Sequence, residues 1–280
     1  AQNMSLIFSK MHGLGNDFVV LDAISQHVNM TATLAQALAD RRFGVGCDQI
    51  LLIENPSTQD DEFSYRIFNQ DGSEVSQCGN GARCFAKYVS EKGLTQSSRI
   101  SVSTLAGKLE LVIEENGLIT VNMGAPDFTL STIPFIADNV ADSYAIDIDS
   151  ESLTANVLSL GNPHAVFQVD NLDLANVAGI GKALQSHNRF PEQVNAGFMQ
   201  IIDQENFRLR VFERGVGETL ACGSGACAAL VVGIRRGELS SQATCHLPGG
   251  ELSLSWQGDG CSVFKTGPAE FVYDGVWTGQ

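Results

Sequence analysis

The sequence is written twice along one chain. Phe63-Ser64-Tyr65-Arg66-Ile67-Phe68-Asn69 runs through Ser73-Glu74 to Cys78-Gly79-Asn80-Gly81-Ala82. Phe207-Arg208-Leu209-Arg210-Val211-Phe212-Glu213 runs through Gly217-Glu218 to Cys222-Gly223-Ser224-Gly225-Ala226. Phe, Arg, Phe, Glu, Cys, Gly, Gly and Ala recur at one offset, 144 residues (222 − 78). Further out, Gly15-Asn16 is answered by Gly161-Asn162, Arg42-Phe43 by Arg189-Phe190, and Gly107-Lys108-Leu109-Glu110-Leu111 by Gly250-Glu251-Leu252-Ser253-Leu254. Ordered matches at nearly constant spacing point to two copies of one supersecondary plan.

Local patterning agrees with two copies. Residues 63–68 and 207–212 alternate or carry β-branched and aromatic side chains, and read as strands, as do 109–113 and 252–256. Residues 33–40 and 172–184 read as helices, the second weakened by glycines. A helix follows each Cys-Gly-x-Gly, and 226–234 is apolar all round, as a helix inside a core is. The expected fold is α+β: two pseudo-symmetric domains, each a strand-rich, barrel-like sheet around a central helix that starts at a cysteine, with the active site in the cleft between them.

Composition removes several function classes. The 280 residues carry a net charge of −15 and no basic stripe, so nucleic acid and anionic membranes are repelled. No apolar run approaches the ~20 residues of a membrane helix. No basic n-region with an apolar h-region opens the chain, so the expected location is cytoplasmic. Ala1-Gln2-Asn3 read as a remnant ahead of a native start at Met4. The seven cysteines are an odd number without C-x-x-C, which fits free thiols in a reducing compartment better than a disulfide framework or a metal site.

Two cysteines at two helix starts suggest proton chemistry. A helix N-terminus favours the thiolate and lowers its pKa from ~8.5. The amides of Gly79-Asn80-Gly81 and Gly223-Ser224-Gly225 form nests for an anion. Jointly they suit one carboxylate, with the two sulfurs on opposite faces of the adjacent carbon. Moving an α-proton without a cofactor requires a base, an acid on the other face, and stabilisation of the developing charge. Cys84 and Cys227 read as core residues, and Cys47, Cys245 and Cys261 carry no assigned role.

At these motifs the chain resembles the diaminopimelate epimerase family, from Met4 onward. The resemblance is carried by Phe8-Ser9-Lys10-Met11-His12-Gly13-Leu14-Gly15-Asn16-Asp17-Phe18, Ser76-Gln77-Cys78-Gly79-Asn80-Gly81-Ala82-Arg83-Cys84, Gly161-Asn162-Pro163-His164, Glu213-Arg214-Gly215 and Ala221-Cys222-Gly223-Ser224-Gly225-Ala226-Cys227. It implies interconversion of LL- and meso-2,6-diaminopimelate in lysine and cell-wall precursor biosynthesis, without pyridoxal phosphate or metal. It also implies that Cys78 and Cys222 are the acid/base pair, tuned by His164 and Glu213. Gly79, Asn80, Gly223 and Ser224 would hold the reacting carboxylate. Asn16, Gln49, Asn69, Asn162, Asn195, Glu213 and Arg214 would contact the rest of the substrate. His164 near a cysteine is expected to favour a thiolate electrostatically. The family is homodimeric, and Tyr273 matches a tyrosine of that interface. Cys47 stands where relatives often carry an aromatic residue, adding a thiol near Gln49 that is open to oxidation. The last residues return to the first half in the family, giving expected domains of 4–122 with 268–280, and 123–267.

Overall fold

A computed structural model describes residues 5–76 and 79–279. The catalytic assignment at Cys78 and the remnant at 1–3 therefore fall outside the described residues. By contacts the chain divides into two compact units, Ala1–Val121 with Gly267–Gln280, and Asn122–Thr266.

In the first unit the elements are β1 (Leu6–Gly13), β2 (Asn16–Asp22), α1 (Ala32–Ala39), β3 (Gln49–Glu54), β4 (Phe63–Asn69), β5 (Glu74–Val75), α2 (Gly79–Glu91), β6 (Arg99–Thr104), β7 (Gly107–Ile113) and β8 (Ile119–Asn122). From β1 the ladder runs antiparallel to β2, parallel to β3, antiparallel to β4, parallel to β6, then antiparallel to β7 and β8. The short β5 hairpins back on β4.

The second unit contains β9 (Tyr144–Ile148), β10 (Glu151–Ser159), β11 (Pro163–Gln168), α3 (Val177–Gln185), β12 (Asn195–Asp203), β13 (Asn206–Glu213), β14 (Gly217–Thr219), α4 (Gly223–Arg235), β15 (Gln242–Leu247), β16 (Gly250–Ser255) and β17 (Phe264–Gly267). From β10 the ladder is again antiparallel, parallel, antiparallel, parallel, antiparallel, antiparallel, through β11, β12, β13, β15, β16 and β17. The sequence repeat is thus a repeat of strand pairing. Even the turn entering β2 and β11 matches, with Gly15 and Gly161 both at φ 88°, where L side chains are strained.

The outermost strand breaks the match. β10 receives β9, its chain neighbour, whereas β1 receives β18 (Glu270–Trp277) from the far end of the chain.

Parallel pairs need a helical crossover, and each sheet is covered on both faces. Val19, Leu21, Ile50 and Leu52 pack toward α1 with Ala35 and Leu38, while Phe18 and Ile67 face Gly81 of α2. Ala226 to Val231 of α4 are wholly buried, as an apolar helix enclosed by its sheet must be.

One expected helix is divided. In place of 172–184 there is a 3-10 turn, Leu172–Leu174, and then α3. The Asn176 side chain accepts from the Gly179 amide and restarts the helix. The glycines there serve packing: a Cβ on Gly179 would meet Asn176 at 2.4 Å, and one on Gly181 would meet Phe212 at 2.3 Å. Among the described residues no helix is long and apolar enough to cross a membrane.

Candidate active site

Cys222 is the N-cap of α4, in extended conformation, and its carbonyl accepts from the Ala226 amide at 3.0 Å. Its side chain is buried. Burial, followed by the charge of Glu213, pushes the thiol well above its ordinary range, against the Gly225 amide, Ser224 and Lys265. This corrects the expectation of a lowered pKa. A helix terminus contributes about 0.3–2 kcal/mol, whereas full burial can move a pKa by about 3–5 units. Cys222 therefore rests as a thiol.

The glycines behind it lie close against neighbouring side chains. A Cβ on Gly225 would stand 3.0 Å from Val211 and 3.1 Å from Cys222 Sγ. A Cβ on Gly223 would stand 2.4 Å from Nζ of Lys265. Lys265 is fully buried on β17, and sequence reading missed it, since it appears there as one cation in a short strand.

Other expected residues gather around this helix start. His164 on β11 is buried and sits 2.9 Å from Asn162 Oδ1 through Nε2. A carbonyl oxygen only accepts, so Nε2 carries the proton. Burial, then the nearby Arg214 charge, pushes His164 down to about 3. The imidazole is neutral near pH 7, so it supplies a hydrogen bond and not the positive charge expected for it. Asn162 Nδ2 donates to Ser224 Oγ at 3.2 Å, and Ser224 Oγ lies 3.8 Å from Cys222 Sγ. Asn195 Oδ1 accepts from the Arg214 amide at 3.0 Å, while its Nδ2 donates to the Pro163 carbonyl. The Thr219 hydroxyl donates to Glu213, and Arg214 Nη1 donates to the Glu192 carbonyl at 3.2 Å.

In the first unit, Asn80 Nδ2 donates to Asn16 Oδ1 at 3.1 Å. Asn16 Nδ2 donates to Gln49 Oε1 at 2.9 Å and to Asp48 Oδ2 at 3.0 Å. Gln49 Nε2 reaches Asn69 Oδ1 at 3.5 Å. Gly79 opens the described part of α2, next to Cys78 outside it. Asp48, which sequence reading missed, is fixed by Arg41 at 3.0 Å.

Away from these clusters, Tyr273 is half-exposed on β18 and meets Phe8 edge-on, with ring centroids 6.0 Å apart. Cys47 is buried and its thiol is pushed up to about 11, first by burial, so it is a poor target for the oxidation expected there. Cys84 and Cys227 are core residues, as expected.

The family model described as diaminopimelate epimerase matches residues 8–129 and 156–272. Among solved structures, a phenazine biosynthesis protein of the PhzF family from Bacillus anthracis aligns with TM-score 0.71 and 18% identity, over 98% of this chain and 99% of that one. A hydroxyproline epimerase from Agrobacterium vitis, with bound trans-4-OH-L-proline, aligns with TM-score 0.71 and 14% identity, over 98% and 92%. A methylitaconate-delta-isomerase aligns with TM-score 0.67 and 10% identity, over 98% and 95%. At these identities the likeness is one of fold.

Proposed function

This chain belongs to the diaminopimelate epimerase family, which points to isomerase or epimerase activity, and on that premise we propose that it epimerises LL-2,6-diaminopimelate to the meso form by a two-base reaction. The observation that carries the reading is the Cys-Gly-x-Gly motif repeated in the sequence, with Cys222 held as a buried thiol at the start of α4.

One cysteine takes the α-proton as the C–H bond breaks. The other gives its thiol proton to the opposite face of the same carbon. Charge and oxidation state balance, so the reaction as proposed uses no cofactor. Cys222 rests protonated and is the acid in one direction, with Cys78 as the base; the roles exchange in the other. The amides of Gly79-Asn80 and Gly223-Ser224 stabilise the negative charge that develops on the carboxylate. Asn16, Gln49, Asn69, Asn162, Asn195 and Glu213 position the polar groups. Arg214 is the fork for the distal carboxylate. Neutral His164 acts through Asn162 and Ser224 to orient the thiol, and burial, seconded by the charge of Glu213, keeps that thiol protonated. We assign the working form as a homodimer that meets its second copy at Tyr273, in the cytoplasm.

The decisive experiment follows solvent deuterium into LL-diaminopimelate by mass spectrometry, with reductant and without added pyridoxal phosphate. Incorporation at one α-carbon with appearance of the meso isomer is the expected result. Absence of exchange in folded, reduced protein would overturn the substrate assignment, and exchange into proline or hydroxyproline alone would replace it.

A further inference from the structure

Four of the residues assigned above to substrate contact form one hydrogen-bonded line. Asn80 donates to Asn16 at 3.1 Å, Asn16 to Gln49 at 2.9 Å, and Gln49 to Asn69 at 3.5 Å. Each amide side chain has a donor end and an acceptor end, so such a line can run in either direction. Its direction decides which atoms each amide turns toward a ligand.

The upstream end is a group that can only donate. Arg83, fully buried on α2, gives Nη2 to Asn80 Oδ1 at 2.9 Å and Nε to the Pro268 carbonyl at 2.9 Å. A guanidinium has no acceptor, so Asn80 must present its oxygen inward and its nitrogen to Asn16. At the next joint Asp48 can only accept, and it takes Asn16 Nδ2 at 3.0 Å. Asp48 is itself held by Arg41 at 3.0 Å, and its Oδ2 accepts the Asp17 amide at 3.2 Å. A cation at one end and a carboxylate at the Asn16 joint thus impose the same direction. Gly13 leaves room for this head group: a Cβ there would meet Arg83 Nη2 at 3.0 Å.

The second unit is the internal control. Position 83 corresponds to Cys227 (227 − 83 = 144), which carries no cation. There the equivalent joint runs the opposite way, with Asn162 donating to Ser224 on the helix, where Asn80 on the helix donates to Asn16. The shared backbone plan therefore does not set the direction; the side chains mounted on it do, with Arg83 and Asp48 at the first joint and His164, which donates to Asn162 Oδ1, at the second.

We propose that Arg83 is a positioning residue which, with Asp48, fixes the donor direction of the Asn80–Asn16–Gln49–Asn69 line and thereby its readiness to bind substrate. The proposal rests on the substrate-contact reading given above. It makes no claim that Arg83 touches substrate.

The test has two readouts on the same variants. The first is the side-chain NH2 resonances of protein labelled with 15N at Asn and Gln, recorded without ligand. Arg83→Met is expected to shift or broaden the Asn80 and Asn16 pairs, whereas Arg83→Lys, which keeps a donor, retains them. The second is steady-state kinetics with LL-diaminopimelate, where Arg83→Met should raise KM about tenfold or more, with a smaller change in kcat. Asp48→Asn, at the more exposed joint, is expected to disturb the Asn16 pair and to raise KM by several-fold, and it carries both readouts should Arg83→Met not fold. Unmoved Asn80 and Asn16 resonances in a folded variant would overturn the line's dependence on its ends. Moved resonances with an unchanged KM would overturn the positioning role. If the wild-type protein does not turn over diaminopimelate, the functional reading fails, and the ligand-free spectra still judge the role of Arg83.

Discussion

The two units share a ladder of strands, joint for joint, and differ in the side chains mounted on it. At the start of β2 the first unit has Asn16-Asp17-Phe18, and at the corresponding turn into β11 the second has Asn162-Pro163-His164. The last residue of β4 is Asn69, and its counterpart on β13 is Glu213. The first unit thus offers a line of amides governed by Arg83 and Asp48. The second offers a neutral imidazole, a carboxylate and a buried lysine around one thiol. Duplication kept the strand ladder and the glycine-led helix that follows it in each unit, and left the side chains around them free to differ.

The largest effect is expected where the halves are claimed to be chemically equal. Cys222→Ser and Cys78→Ser should each lower turnover of LL-diaminopimelate by about 10²–10⁴-fold, the range of general acid–base contributions. Comparable losses would make the cysteines partners across the duplication. Near-normal turnover in either variant would break the two-base scheme and leave one unit as a binding module.

The fold was legible because duplication leaves its mark in ordered residues: Phe63, Arg66 and Phe68 predict a strand that is present as β4, and their counterparts that of β13, whereas the short β5 and β14 after them were not read. The division of 172–184 was not legible, because Asn176 inside an apolar period becomes a cap only once Gly179 presents its amide. Nor was the protonation of Cys222 legible. Helix starts are local and visible in sequence, whereas desolvation depends on what packs above them. Lys265 and Arg83 were missed for the same reason: long cationic side chains ordinarily lie at the surface, and only tertiary packing puts these two inside. The direction of the amide line needed partners distant in sequence, up to Pro268 against Arg83.

An intermediate effect separates the units by pH. Burial holds the His164 pKa at about 3 in the folded state, against an ordinary value of 6.5. The unfolded chain therefore binds a proton there first as pH falls. Stability is full above pH 6.5 and is lost as pH falls from 6.5 toward 3. In the first unit, burial opposes ionisation of Asp17, but hydrogen bonds from Arg41 and Lys10 outweigh it and hold the carboxyl below its ordinary 3.8. Its contribution is present above 3.8 and is lost only below that. Acidification from pH 7 to 5 should therefore loosen the second unit before the first, which hydrogen exchange by mass spectrometry at the two pH values resolves. His164→Phe, which installs the residue of the first unit, should flatten this part of the urea stability profile by up to about 2 kcal/mol. A profile as steep as the wild type's would mean that His164 is not held neutral.

The smallest effect concerns a feature that both units retain. Arg66 grips Glu74 with Nε at 2.8 Å, and Arg210 grips Glu218 with Nε at 2.6 Å, each tying the long strand to the short one before a cysteine helix. The second guanidinium is more buried than the first, 28% against 42% exposed, and it also donates to the Leu172 carbonyl at 3.3 Å. Half-exposed ion pairs contribute about 0–1 kcal/mol, so Glu74→Gln and Glu218→Gln should each lower Tm by no more than a few degrees. The Glu218 variant should lose slightly more, because it leaves the better-buried cation with fewer partners. Calorimetry at low and high salt tests the origin of the effect: added salt should narrow the difference between wild type and variant, since screening already weakens the bridge in the wild type. A loss near ten degrees in either variant, or one indifferent to salt, would show that the bridge holds its helix start in place, and would move it from a relic of the duplication to a part of the site.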